Sequence, residues 1–342
     1  MLAPDPAVLE FPLAAPPAPG TACLVAPGIR WIRMPLPFAL DHINLWLIED
    51  GDGHAAVDTG IAIEPIKAAW KSVLAERRLT RQFVTHFHPD HLGLAAWLQA
   101  ETGAPLWMTQ GEFQTAHLVA ADIPPFHVGA MVDFFREHGL DGTRLAGVAQ
   151  RGNAYKHLVP AIPSSFQRLR HDDVIRIGRH DWRVIVGYGH APEHASLHCE
   201  ALRVLISGDM LLPRISTNIS AFPAGREHDP LGMFLESLAS FITLPEDTLV
   251  LPSHGRPFRG IQTRIAELRK HHEDRCADLL AACAGQPRCA GEVLDLLFGR
   301  PIDDPHQAWF ATGEAIAHLN YLEHRGRLRR VAGDDVIRFV KN

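Results

Sequence analysis

The chain alternates between two hydrophobic periods. Short β-type runs follow one another at residues 22–26, 30–34, 43–48 and 54–58, punctuated by Pro27-Gly28 and Gly51-Asp52-Gly53, which predicts early antiparallel strands. Helical spacing takes over at 64–76, a strand returns at 82–85, and a second helix is expected at 93–102. Residues 110–165 break this order with helical stretches carrying Phe126, His127, Met131, Phe134 and Phe135, which read as an insertion able to roof a pocket. Strand patterns resume at 173–177, 181–187, 195–200, 203–207 and 248–252. Helical segments at 264–283, 290–298 and 311–324 follow, and residues 328–340 read as a hairpin turning at Gly333-Asp334. The pattern predicts an α/β catalytic domain over residues 1–260, with the insertion inside it, and a smaller domain over 261–342.

The predicted strands end in metal-binding chemistry. The run at 82–85 leads into Thr-His-Phe-His-Pro-Asp-His, which packs His86, His88, Asp90 and His91 into six positions. Imidazole and carboxylate are the donors for borderline divalent ions, and four of them on one short loop converge only if the loop wraps a metal. Pro89 and Gly93 point to a tight loop rather than a continuous helix or strand. Three later runs also end in a donor: His190 in Gly-Tyr-Gly-His-Ala-Pro-Glu-His, Asp209 in Ile-Ser-Gly-Asp, and His254 in Pro-Ser-His-Gly. Glycine beside each donor lets the backbone turn sharply next to an ion. Strand carboxyl ends are where α/β sheets keep their sites. With those positions filled, His194 reads as a supporting residue rather than a further ligand.

Composition narrows the partners. A 342-residue chain with 46% hydrophobic residues is long enough for a large core and an accessory domain. Its formal net charge of -6 offers no global attraction to nucleic acid or anionic membranes. The Pro-rich first twenty residues lack a positive start and a sustained apolar stretch, so no secretory signal is expected. No run reaches membrane-spanning length. Five dispersed cysteines without C-x-x-C spacing argue against a disulfide framework and against a cysteine zinc site, and place the chain in a reducing cytoplasm.

The ordered motifs Thr-His-Phe-His-Pro-Asp-His, Gly-His-Ala-Pro-Glu-His, Ser-Gly-Asp and Ser-His-Gly, preceded by Val57-Asp58-Thr59-Gly60, resemble those of the metallo-β-lactamase-fold hydrolases across about residues 20–260. The resemblance implies an αββα sandwich with a dinuclear site at one edge of its two sheets. It implies His86, His88 and His190 on one ion, Asp90, His91 and His254 on the second, and Asp209 bridging both. Asp58 would stand behind the ligands and orient a histidine. The implied cofactors are two divalent ions, zinc first, with iron or manganese accepted by the same donors. Two such ions about 3.5–4 Å apart share a water and lower its pKa toward neutrality, giving a bridging hydroxide for hydrolysis. Asp90 is then the catalytic candidate that orients this water or takes its proton. Redox variants of the fold replace the second histidine by glutamate, whereas His88 is intact here. No rival nucleophile motif stands out, since Ser207 lies in Ile-Ser-Gly-Asp rather than G-x-S-x-G.

The C-terminal region resembles the winged-helix-like domain of one superfamily branch that includes the lactamase-β-like endoribonucleases. Arg325, Arg327, Arg329 and Arg330 would lie at the wing. From residue 256 to the end, 14 Lys and Arg face 12 Asp and Glu, a weak electrostatic footprint for nucleic acid. Packing, homodimer formation or pocket shaping is the preferred role of this region. The favoured activity is hydrolysis of a small-molecule thioester or ester of the acyl-CoA or glutathione-thioester type. Arg256 in Ser-His-Gly-Arg-Pro, and an accessory region unlike the glutathione-binding one, depart from true glutathione thioester hydrolases. The alternatives are a metal-dependent endoribonuclease, a lactonase or β-lactamase-like hydrolase, and a regulator with a vestigial core. Arg214 and Asn218, beyond Asp209, are outlying pocket candidates.

Overall fold

The computed structural model describes residues 8–13, 15–225, 228–331 and 335–342. Two sheets form the centre of the first compact unit, which comprises residues 1–120, 155–217 and 237–266. Strands β1 (Cys23–Ala26), β2 (Ile29–Pro35), β3 (His42–Asp50) and β4 (Gly53–Val57) run antiparallel in sequence order. Parallel pairings then add β5 (Leu79–Phe83), β6 (Leu106–Thr109) and β7 (Gln167–Leu169). The second sheet is built from β8 (Val174–Ile177), β9 (His180–Gly187), β10 (His194–Cys199), β11 (Val204–Gly208) and β12 (Leu249–Pro252), ordered β12-β11-β10-β9-β8. Only its β11–β12 pair is parallel.

The near-continuous apolar run in β3 arises because both faces of the sheet are covered, and β2 beside it also buries apolar residues on both faces. Ile29, Trp31, Trp46 and Ile48 face the second sheet, packing in one core with Trp182, Val184, Leu197 and Ile206. On the opposite face Ile32, Met34, Ile43, Leu45 and Leu47 pack with Ile66, Trp70 and Val73 of helix Glu64–Leu74 and with Leu98 of helix Ala95–Thr102. Period-two alternation therefore sends successive side chains into two different cores. This is the mixed α/β metallo-β-lactamase architecture. Strands β6 and β7 were not anticipated from the sequence. At four and three residues they carry too little alternation to stand out.

One local expectation needs correction. Residues 89–93 are not a plain loop, because Pro89–Leu92 forms a helical turn with Pro89 in its first turn. Proline lacks only an N–H that has no partner at that position anyway.

The second unit comprises residues 121–154, 218–236 and 267–342. It contains helices Val128–Glu137, Gly142–Arg151, Ala290–Phe298 and Pro305–His324, and the hairpin of β13 (Leu328–Val331) and β14 (Arg338–Lys341). The expected hairpin turn at Gly333-Asp334 lies outside the described residues. Helix Pro305–His324 starts earlier than the expected 311, with Asp304 accepting a hydrogen bond from Gln307 N and Pro305 opening the first turn. These units divide the chain differently from a boundary at 260 and a single insertion at 110–165. Linear patterning locates helices, but it does not say which distant helices share a core. Among the described residues no helix is long and apolar enough to cross a membrane, and all five cysteines are free.

Candidate metal centre

Every donor picked out in the sequence is delivered by a segment that leaves the end of a strand. Asp58 follows β4, the His86 to His91 segment follows β5, His190 follows β9, Asp209 follows β11 and His254 follows β12. Asp58 adopts a left-handed backbone with φ 62°, a conformation that aspartate tolerates better than most residues. Gly208 is left-handed too, and a Cβ there would come within 2.3 Å of the His194 ring. A glycine is therefore required immediately before Asp209.

The side chains converge as two groups. His86 Nε2 lies 2.9 Å from His88 Nδ1 and 3.2 Å from His190 Nε2. In the second group, His254 Nε2 lies 3.4 Å from Asp90 Oδ2, and His91 Nε2 lies 3.5 Å from the same oxygen. Asp209 faces both groups, with Oδ2 3.4 Å from His190 Nε2 and Oδ1 3.5 Å from His254 Nε2. Within each of three sets the donor atoms lie within 4.8 Å of one another: His86, His88 and His190; His86, His91 and Asp209; and Asp90, His91 and His254.

Hydrogen bonds behind the candidate donors orient their rings. His91 Nδ1 donates to Asp58 Oδ2 at 2.8 Å, and His254 Nδ1 donates to the His42 carbonyl at 2.7 Å, so each Nε2 turns inward. Asp58 also accepts from Thr85 N at 2.8 Å and from the Thr85 hydroxyl at 3.0 Å. The same hydroxyl stands 3.0 Å from His86 Nδ1, linking both groups to one carboxylate. Asp209 N donates to His194 Nε2 at 3.0 Å, which makes His194 a support for Asp209 rather than one of the inward donors.

Charge is distributed unevenly. Burial, reinforced by the neighbouring imidazoles, holds His86 well below the usual histidine range and brings His88 down to about 3. Burial pulls His91 down as well, but Asp58, Asp90 and Asp209 together outweigh it and raise this residue to about 10. His254 is raised in the same way by Asp209 and Asp90 against its burial. Although burial opposes ionisation of Asp90, His91 and His254 hold its carboxyl at about 2. The residues fit a metal on a further ground: His91 Nε2 and Asp209 Oδ1 are buried atoms without a hydrogen-bond partner. Such atoms carry a desolvation cost of about 1–3 kcal/mol each unless something satisfies them. A divalent cation bound between nitrogen and carboxylate donors removes that cost.

Several supporting residues escaped the sequence reading. Asn44, fully buried in β3, donates through Nδ2 to the Pro252 and Gly255 carbonyls, both at 2.8 Å, and so clasps the segment bearing His254. Its oxygen accepts from Trp31 Nε1 at 2.8 Å. The available signal was one polar residue inside the apolar run 43–48. Glu112 offered no comparable signal, yet it is fully buried and accepts hydrogen bonds from the Phe87 and Glu193 backbones. Arg214 and Arg256 stack on Phe11, at 5.8 and 4.7 Å from its ring centroid, and Asn218 donates to Glu314. Ser207 donates its hydroxyl to the Leu211 carbonyl, and burial pushes the Cys276 thiol up to about 12. Neither is a prepared nucleophile.

A histidine and aspartate cluster fit for metal, set at the strand ends of a two-sheet sandwich, defines a metallo-hydrolase. The chain belongs to the metallo-β-lactamase superfamily, whose family model matches residues 39–254. A second model, the metallo-β-lactamase-like C-terminal domain, matches residues 276–342. The chain is similar to a β-lactamase domain protein from Burkholderia ambifaria, with 47% identity, 98% of each chain covered and a TM-score of 0.91. It is also similar to a metallo-β-lactamase family protein from Thermus thermophilus, with 28% identity, a TM-score of 0.77, and 92% of this chain and 99% of that one covered. Among curated proteins, the probable metallo-hydrolase YqjP of Bacillus subtilis is 25% identical across 85% of this chain and 91% of its own length. A hydroxyacylglutathione hydrolase of Cereibacter sphaeroides is 27% identical over 64% of each chain.

Proposed function

We propose that this chain is a dinuclear metal-dependent hydrolase acting on a small-molecule thioester or ester. The carrying observation is Asp209, whose two carboxylate oxygens face different histidine groups at 3.4 and 3.5 Å, as a bridging ligand between two ions does. His86, His88 and His190 would hold one ion, and Asp90, His91 and His254 the other, with zinc the first assignment for so histidine-rich a set. The ions would supply Lewis acidity and a water activated at neutral pH.

The protein's own groups supply orientation. Asp58 and the His42 carbonyl fix two ligand tautomers, and His194 and Asn44 fix the backbone beside Asp209 and around His254. Asp90, with its side chain 20% exposed, is the acid of the second group open to solvent, and we assign it to orient the attacking water and receive its proton. The acyl-substrate reading is supported by the likeness to a hydroxyacylglutathione hydrolase and by a net charge of -6, which offers no global attraction to nucleic acid.

The test is a rate panel on the metal-quantified protein, covering S-lactoylglutathione, acyl-CoA thioesters, aryl esters, a homoserine lactone, a cephalosporin and single-stranded RNA. Asp209→Asn serves as the blank. Thioester or ester turnover that falls more than about 100-fold in this variant is the expected result. RNA cleavage abolished by the same substitution, without acyl turnover, would overturn the assignment.

A further inference from the structure

Glu112 is a buried acid whose carboxylate serves the backbone of two ligand loops. It lies in the first turn of helix Gln110–Ala121 and has no solvent exposure. Oε2 accepts from Phe87 N at 2.9 Å, and Oε1 accepts from Glu193 N at 2.6 Å. Phe87 is the residue between ligands His86 and His88, and Glu193 stands in the loop that carries His190. Three ligands from two loops thus hang on one carboxylate. The grip is completed from other directions. Tyr155 donates its hydroxyl to the Phe87 carbonyl at 2.7 Å, so the backbone between the two histidines is held at both its polar groups. The Glu193 side chain accepts from Gly111 N at 2.8 Å, and Thr109 donates to the Glu193 carbonyl at 2.8 Å, which ties the His190 loop back to the start of the Glu112 helix.

We propose that Glu112 is the positioning residue that joins the His86-Phe87-His88 turn to the His190 loop and thereby sets the ion affinity of that half of the centre alone. The inference rests on reading the cluster as a two-ion centre. The other half is held differently, by Asp58 behind His91 and by Asn44 and the His42 carbonyl around His254. Glutamine at 112 keeps an acceptor for one N–H but turns an amide NH2 toward the other, so one loop loses its anchor while volume is preserved. A positioning residue of this kind typically controls metal affinity by about 10–100-fold.

The experiment measures zinc affinity by competition with a chromophoric chelator in two half-site backgrounds. His254→Ala isolates the half that Glu112 supports, and His88→Ala isolates the other. Adding Glu112→Gln is expected to weaken binding about 10–100-fold in the first background and leave the second unchanged. Tyr155→Phe, which releases the same turn from its other side, is expected to act on the same half with a smaller loss, and it carries the test if Glu112→Gln does not fold. Equal affinities with and without these substitutions, or equal losses in both backgrounds, would overturn the proposal by leaving Glu112 a purely structural role. If the unsubstituted chain binds no divalent ion, the two-ion reading itself has failed, and that outcome is recognisable before any substitution at 112 is made.

Discussion

Among the described residues two buried histidine clusters stand out, one in each compact unit, and they solve the burial of imidazole in opposite ways. In the first unit, ring nitrogens from three strand-end segments point at one another and at Asp90 and Asp209, leaving His91 Nε2 and Asp209 Oδ1 without hydrogen-bond partners. In the second, His272 Nδ1 and His318 Nε2 meet at 3.0 Å, and His318 Nδ1 donates to the Glu314 carbonyl at 2.8 Å. The nearby Glu314 carboxylate is occupied by Arg275 and Asn218. Both rings stay neutral: burial and the adjacent imidazole bring His272 down to about 2, and burial brings His318 down to about 3. A cluster of histidines becomes a cation site when carboxylates converge with it and remain uncommitted. Where the carboxylate is already taken by an arginine, the same residue type makes a closed structural pair.

The comparison breaks most sharply at Arg275. Removing it by Arg275→Ala leaves the buried Glu314 carboxylate unpaired, at an expected cost of about 3–5 kcal/mol in denaturant unfolding. Adding Glu314→Gln should recover part of that loss. Full stability of the single variant would mean that the second cluster is not closed by this pair. Asp58→Asn addresses the first cluster and should weaken ion binding about 10–100-fold, because His91 loses the carboxylate that fixes its tautomer. Chelator competition reads this directly, and an unchanged affinity would remove Asp58 from the account.

The smallest effect is in pH. Because His272 and His318 have folded-state values depressed below the ordinary 6.5, their contribution to stability is fully present above that pH. It is lost as pH falls, since the unfolded chain then takes up protons that the folded pair refuses. The double variant His272→Leu, His318→Leu should therefore lose less thermal stability between neutral and mildly acidic pH than the parent chain. A parent-like slope would show that the pair does not titrate in this way.

The site was more legible than the fold around it. The seven candidate donors stand in short motifs at strand ends, where residue type alone marks them. Asp58 was reached only through the resemblance of Val57-Asp58-Thr59-Gly60 to a family motif. Glu112 was not legible, because its partners lie 25 and 81 residues away and are backbone groups of no distinctive type. Asn44, one polar residue in an apolar strand, could have been flagged, but its partners across 208 and 211 residues could not have been named. The second unit draws on three separated segments, so its helices were visible as periods and its membership was not.

The measurement that bears most directly on the central claim is the number of ions bound per chain, by elemental analysis of purified protein after gel filtration. The account predicts two ions in the unsubstituted chain and one each in His88→Ala and His254→Ala, which remove ligands from different halves. A single ion in the unsubstituted chain that either substitution abolishes would contradict the dinuclear centre, and no ion at all would contradict the metal reading as a whole.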